Sequence, residues 1–91
     1  MAGLTGLIPT LNEAARLPLL LADLARWPSS VQVIVIDAGS IDATRTVATL
    51  TGAEVLISSA AGRGQQLIRG RARRRHDWIL VLHADSRLPE R

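Results

Sequence analysis

VQVIVIDAGS, residues 31–40, is the stretch on which the fold turns. Val31, Val33, Ile34, Val35 and Ile36 form a β-branched run broken only by Gln32, and a run with no polar alternation reads as a strand buried on both faces, the kind found inside parallel sheets. It ends on Asp37, and Ala38-Gly39-Ser40 has the composition of a turn. A carboxylate at the tip of so apolar a strand is costly to dehydrate unless donors reach it. Two readings of Asp37 follow: an Asx-type turn accepting from the Gly39 and Ser40 amides, or a group offered to the base or ribose of a nucleotide.

Working outward, LTGLIP (residues 4–9) is a shorter apolar run closed by a proline, as a first buried strand would be. TLNEAAR is a polar break, after which Leu17, Leu20, Leu21 and Leu24 follow the spacing of an amphipathic helix, with Pro18 in its first turn and a stop near Trp27-Pro28. Beyond the turn, residues 41–50 predict a second helix with Ala43, Val47 and Leu50 on one side and Gly52 to end it. AEVLIS (residues 53–58) predicts a third strand, and SAAGRG a glycine-containing loop. A third helix over residues 65–75 has a thin apolar face of Leu67, Ile68 and Ala72, and DWILVLH (residues 77–83) predicts a fourth strand. Four strands alternating with three helices make an α/β, Rossmann-like domain with a mostly parallel sheet joined by right-handed crossovers.

In such sheets ligands bind beyond the carboxyl ends of the strands. Pro9-Thr10, Asp37-Ala38-Gly39, residues 59–64 and His83-Ala84-Asp85 are therefore expected on one rim. The first of these positions reads IPTLNEA, without the G-x-G-x-x-G of a dinucleotide site, and no GxxxxGK[ST] occurs anywhere. A Rossmann dehydrogenase and a P-loop enzyme are both disfavoured.

The 91 residues suffice for one domain with a single core. The absence of cysteine excludes a disulfide framework or a thiolate metal site and suits a reducing, cytoplasmic location. No apolar run reaches the length of a membrane span, and the start lacks the pattern of a signal peptide. Net charge is +3, from eleven arginines and no lysine against eight acids. Arg69, Arg71, Arg73, Arg74 and Arg75 crowd into RGRARRR, a basic helix face suited to peripheral contact with the anionic inner face of a membrane or with an acidic partner. Trp27 and Trp78 are the only aromatic residues among Phe, Trp and Tyr, too few for base-stacking platforms, so nucleic acid is not the expected partner.

Asp85 in HAD follows a strand and can supply one oxygen to Mg2+ or Mn2+, with phosphates and water completing the shell. His83 is either a second ligand, which would shift preference toward Mn2+, or a strand-end residue that points into the helix layer or orients Asp85 by a hydrogen bond. Arg63 lies in the flexible GRG loop, where a guanidinium can take a phosphate bidentately or remain solvated. Asp42, at a helix start, reads as a first-turn acid complementing the helix dipole.

Taken in order, IPTLNEAARLPLLL, VIVIDAGSIDAT, GAEVLISSAAGRGQQLIRG and DWILVLHADSRLP resemble the family-2 glycosyltransferases of the GT-A fold. The resemblance covers nearly the whole chain, and the GRGxQL and LHADxRLP wording is similar to small bacterial members associated with radical-SAM or arsenosugar gene clusters. It implies a site for a nucleotide-diphosphate sugar, transferred with Mn2+ or Mg2+ to an acceptor. Pro9, Thr10 and Glu13 would line the nucleoside pocket, Asp37 would reach base or ribose, Arg63 would approach base or diphosphate, and Asp85, joined by His83, would hold the metal. Three positions depart from the family's pattern: Ala38 stands where many members have a second acid, His83 where many have aspartate, and Arg69 where asparagine is common. The resemblance also implies that residues 1–91 are the N-terminal, donor-binding half of the domain, that the acceptor pocket and general base lie in a missing C-terminal half, and that this half does not turn over alone. Glu90, the one acid after Asp85, reads as a solvent residue. The competing readings are a sugar-phosphate nucleotidyltransferase, for which IPTLNEA is the wrong phosphate loop, and a non-catalytic nucleotide- or partner-binding domain.

Overall fold

The computed structural model of the chain describes residues 3–27, 30–58 and 62–89. Strands β1 (Leu4–Thr10), β2 (Val31–Asp37), β3 (Glu54–Ile57) and β4 (Trp78–Val81) alternate with helices α1 (Leu17–Ala25), α2 (Thr44–Leu50) and α3 (Arg63–Arg71). The strands form one sheet in the order β3-β2-β1-β4, and all three pairings are parallel. The sheet is therefore parallel throughout, where a mostly parallel one was expected.

Alternation along each strand divides the core in two. Ile8, Val35 and Leu82 face α1 and α2, packing with Leu17, Leu20, Leu21, Leu24 and Ala48. Leu7, Ile34 and Ile36 face the other way, with Leu56, Leu67 and Ile79 against them on the α3 side. Helices on both faces explain why residues 33–36 of β2 read as an apolar run without polar alternation. Leu17, Leu20, Leu21 and Leu24 of α1 are all buried, as their spacing predicts, while Leu19 is exposed, and Pro18 lies in the first turn.

The other two helices differ from expectation for identifiable reasons. Helix α2 begins at Thr44, three residues after Ile41, because the Ile41 amide is bonded to Asn12 Oδ1 (2.9 Å) and Ile41 itself is exposed. Its buried side is Thr44 and Ala48; Ala43 and Leu50 are exposed and Val47 is half-buried. Helix α3 begins at Arg63, after Gly62 at φ 107°, and ends at Arg71. The segment after it cannot continue the helix because Gln32 of β2 captures it, donating to the Arg73 carbonyl (3.0 Å) and accepting from the Arg75 amide (2.7 Å). The side of α3 against the sheet is Gln66 and Gly70, both buried, whereas Ile68 and Ala72 are exposed and Leu67 is half-buried. A Cβ at Gly70 would lie 2.7 Å from Ile36 Cδ1 and 3.1 Å from Leu7 Cδ2, so glycine sets the distance between α3 and the sheet. No described helix is long and apolar enough to cross a membrane.

Candidate functional site

The rim at the carboxyl ends of β1 and β2 is built from two loops stitched together. Thr10 and Asp37 are register partners, and the Ala38 amide donates to the Thr10 carbonyl (3.0 Å). Two hydroxyls then link amides of the first loop to aspartates of the second. The Asn12 amide donates to Ser40 Oγ (2.8 Å), which donates to Asp37 Oδ1; the Glu13 amide donates to Thr44 Oγ1 (2.8 Å), which donates to Asp42 Oδ1. Asn12 takes φ 55°, a left-handed conformation that asparagine tolerates, and its side-chain oxygen Oδ1 accepts from the Ile41 amide.

Asp37 is consumed by this network. It is fully buried; Oδ2 accepts from the amides of Gly39 (3.1 Å) and Ser40 (2.7 Å), and Oδ1 accepts from Thr10 Oγ1 (2.8 Å) and Ser40 Oγ. Arg45 approaches it at 3.8 Å. Burial pushes its carboxyl upward, but the bonds from Ser40, Thr10 and Gly39 outweigh burial and hold it below the usual carboxylate value. Of the two readings open in sequence, the geometry is that of the Asx-type turn: the carboxylate reaches its own loop, and the groups left facing the rim are the half-buried Ala38 and the exposed Gly39. Thr10 is likewise buried with its hydroxyl spent on Asp37.

Asp42 lies two residues before α2, outside its first turn. Its carboxyl is held down chiefly by the Thr44 hydroxyl, despite some desolvation, and it also accepts from the amides of Thr44 (2.9 Å) and Ala14 (3.2 Å). Its task is to join the two loops.

After β4, the chain makes a tight turn in which the Ser86 amide donates to the His83 carbonyl (2.9 Å). Leu82 and Ala84 are buried in the α1-side core, and the Leu82 amide donates to the Leu7 carbonyl (2.9 Å). Asp85 and His83 are exposed. Arg16, at the start of α1, stands between two acids, 3.7 Å from Glu13 and 4.0 Å from Asp85, which brings TLNEAAR and HAD together on the rim. Pro9 and Glu13 are half-buried there. Arg63 is the first residue of α3; its side chain and residues 59–61 of the glycine loop lie outside the described residues.

A divalent cation fits this donor set only if other oxygens come with it. Among the described residues no three His, Cys, Asp or Glu side chains gather into a metal cage. One exposed carboxylate, with an imidazole two residues away, is what a magnesium- or manganese-type ion needs when phosphates and water supply the remainder.

Four structurally important residues are not apparent from the motifs. Gln66 is buried under the rim and donates to the Ile36 (2.8 Å) and Thr10 (3.3 Å) carbonyls, tying α3 to both strand ends. Ser40 and Thr44 carry the two relays; their spacing after Asp37 and Asp42 is the local signal for side-chain turns. Asp23, an acid beside the leucine stripe of α1, is buried and binds Arg87 and the Leu88 amide. The basic residues 69–75 start on α3 and run away from the rim: Arg75 is held beside Gln32, near the beginning of β2. Arg73 pairs with Glu54 at 2.8 Å, and it is the only member of the patch in an ion pair among the described residues.

A family model described as glycosyl transferase family 2 matches residues 6–91. An uncharacterized glycosyltransferase of Mycobacterium tuberculosis is 34% identical over 88 residues, covering 94% of this chain and 39% of that protein. Glycosyltransferase AglJ of Haloferax volcanii is 42% identical over 59 residues, 65% of this chain and 19% of the relative. Among solved structures, mannosyl-3-phosphoglycerate synthase from Rubrobacter xylanophilus superposes with a TM-score of 0.85 at 28% identity, over 98% of this chain and 32% of its own. Glucosyl-3-phosphoglycerate synthase from Mycobacterium tuberculosis, in complex with Mn2+, UDP and glucosyl-3-phosphoglycerate, gives a TM-score of 0.79 at 25% identity, over 91% and 33% of the two chains. The chain thus spans between 19% and 39% of the length of these relatives.

Proposed function

The chain belongs to glycosyl transferase family 2, and we propose that its rim binds a nucleotide-diphosphate sugar, with a divalent cation held at Asp85, for transfer of the sugar to an acceptor. The reading is carried by one observation: Asp85 stands exposed at the tip of a turn whose two sides are anchored, beside the cross-linked loops that end β1 and β2. A structural relative bound to Mn2+ and UDP supports it. The wording GRGQQL and LHADSRLP further supports the small bacterial subgroup associated with radical-SAM or arsenosugar clusters.

The roles divide by exposure. Pro9, Glu13, Ala38 and the Gly39 backbone line the nucleoside side, while Thr10 and Asp37 form its floor and hold those groups in place. Arg63 approaches the diphosphate and His83 stands as a second donor beside Asp85. When a sugar leaves a diphosphate, negative charge builds on the departing oxygen, and the cation's chemistry is to stabilise that charge. Asp85 contributes by fixing where the positive charge sits. Asp37, bonded to Thr10, Gly39 and Ser40, holds the loops that end β1 and β2 together beneath the bound nucleotide.

Calorimetry with UDP and with GDP, each with and without Mn2+, on this chain and on Asp85→Ala is the direct test. Nucleotide binding that strengthens with Mn2+ and loses that gain in Asp85→Ala is expected. Binding indifferent to both metal and mutation would sink the proposal.

A further inference from the structure

Helix α1 carries one acid on its buried side. Asp23 has almost no exposed surface, yet it lies beside Leu20 and Leu24 in a layer otherwise apolar. A carboxylate is retained in such a place only when donors surround it, and Asp23 has four. Arg87 binds it bidentately, Nε to Oδ2 at 2.8 Å and Nη2 to Oδ1 at 3.2 Å; the Leu88 amide donates to Oδ2 at 2.9 Å, and Arg26 to Oδ1 at 2.7 Å. Three of the four come from two consecutive residues immediately after the HADS turn. A planar guanidinium on both carboxylate oxygens fixes direction as well as distance.

The turn is thus held on both sides. Before it, Leu82 is bonded to Leu7 and buried, and Ala84 is buried within it; after it, Arg87 and Leu88 are fastened to α1. Asp85 projects from this pedestal with no hydrogen bond of its own among the described residues and only Arg16 nearby, at 4.0 Å. Its position is consequently set by what grips the chain on either side of it: the burial of Ala84 just before it and, two residues after it, the bonds from Arg87 to Asp23.

We propose that Asp23, acting through Arg87, is a positioning residue for the Asp85 carboxylate, so that the first helix sets where the cation is held at the rim. This rests on the reading of Asp85 as the cation-holding residue. Groups that orient a metal ligand from behind typically change metal affinity by 10- to 100-fold when removed; at two residues' remove, the lower end of that range is expected.

The test is Mn2+ uptake in the presence of UDP, followed by the EPR signal of free Mn2+, on the unaltered chain, Arg87→Ala, Arg87→Lys, Asp23→Asn and Asp85→Ala. Amide hydrogen exchange at Ser86 and Leu88 is measured on the same proteins without metal. Arg87 is more than half exposed, and Arg26 and the Leu88 amide still reach Asp23 when it is replaced, so Arg87→Ala is expected to fold, at lower stability, even where Asp23→Asn does not. Arg87→Ala is expected to weaken Mn2+ uptake about tenfold and to quicken exchange at both amides; Arg87→Lys, which keeps the charge but not the fork, is expected to fall between. Asp85→Ala should lose the uptake while leaving exchange unchanged. Uptake by Arg87→Ala equal to that of the unaltered chain, or exchange unaltered by the change, overturns the proposal. Should the unaltered chain and Asp85→Ala take up Mn2+ alike, the donor-site reading fails instead, and exchange alone decides whether Arg87 pins the turn.

Discussion

Thr10 and Asp37, the last residues of two neighbouring parallel strands, sit in register and share a 2.8 Å hydrogen bond from the threonine hydroxyl to the carboxylate. This bond, with the three that Asp37 accepts from Gly39 and Ser40, makes the aspartate the keystone of the rim. Asp37→Asn exchanges an acceptor oxygen for a donor in a fully bonded, buried site. It should lower unfolding stability by about 2 kcal/mol, read from urea denaturation. A stable Asp37→Asn that loses nucleotide affinity alone would instead make Asp37 a ligand-contacting residue.

Gly70 gives a prediction opposite in sign to helix propensity. Glycine to alanine inside a helix ordinarily stabilises by about 1 kcal/mol. Here the new methyl group would meet Ile36, a fully buried side chain, at 2.7 and 2.9 Å. Gly70→Ala should therefore destabilise, by about 1–3 kcal/mol, whereas Gly64→Ala, with nothing within 4 Å, should not. Thermal unfolding of the two variants side by side reads the contrast.

Acid should loosen the attachment of residues 87–88 to α1. The Asp23 carboxyl lies well below its ordinary value of 3.8, first because Arg87 bonds it and then because Leu88 does, against the cost of burial. A folded value below the unfolded one means that the stabilisation is fully present above about pH 5 and is lost as pH falls from the ordinary value through the folded one. Asp37 and Asp42 are shifted in the same direction, so acid destabilises through all three. The gap in melting temperature between the unaltered chain and Arg87→Ala should be constant from pH 7 to about pH 5 and close below pH 4. A gap that widened in acid would contradict the assignment.

The basic segment should separate from nucleotide binding. Residues 71–75 lie at the end of the sheet opposite the rim, with Arg71 and Arg74 exposed. If the patch rests on an anionic membrane, Arg71→Glu with Arg74→Glu should weaken sedimentation with phosphatidylglycerol vesicles at least tenfold, taking about 1 kcal/mol for each charge. UDP binding should be unchanged. Vesicle binding that persists in the double variant would remove the patch from any membrane role.

The chain's alternation of strand and helix, the burial of β2 on both faces and the leucine stripe of α1 are legible in the sequence because each depends on periodicity within a few residues. The strand ends that form the rim follow from the same pattern and the handedness of parallel crossovers. Which side of α3 meets the sheet was not legible in this way. Leu67 and Ile68 are its apolar residues, but close approach to Ile36 requires Gly70, and the strand-end carbonyls require Gln66.

The division is clearest for the aspartates. Sequence alone placed Asp37 at the end of one strand and Asp85 just after another, on a common rim. Only the tertiary structure decided that Asp37 is spent inside it, Asp85 is left outward, and Asp23 is the acid that holds the following segment. The physical reason is that a carboxylate's role depends on which donors reach it. Asp37 takes the Thr10 hydroxyl from 27 residues away, and Asp23 takes Arg87 from 64; packing of α1 and β1 brings those donors in, and no local pattern records it.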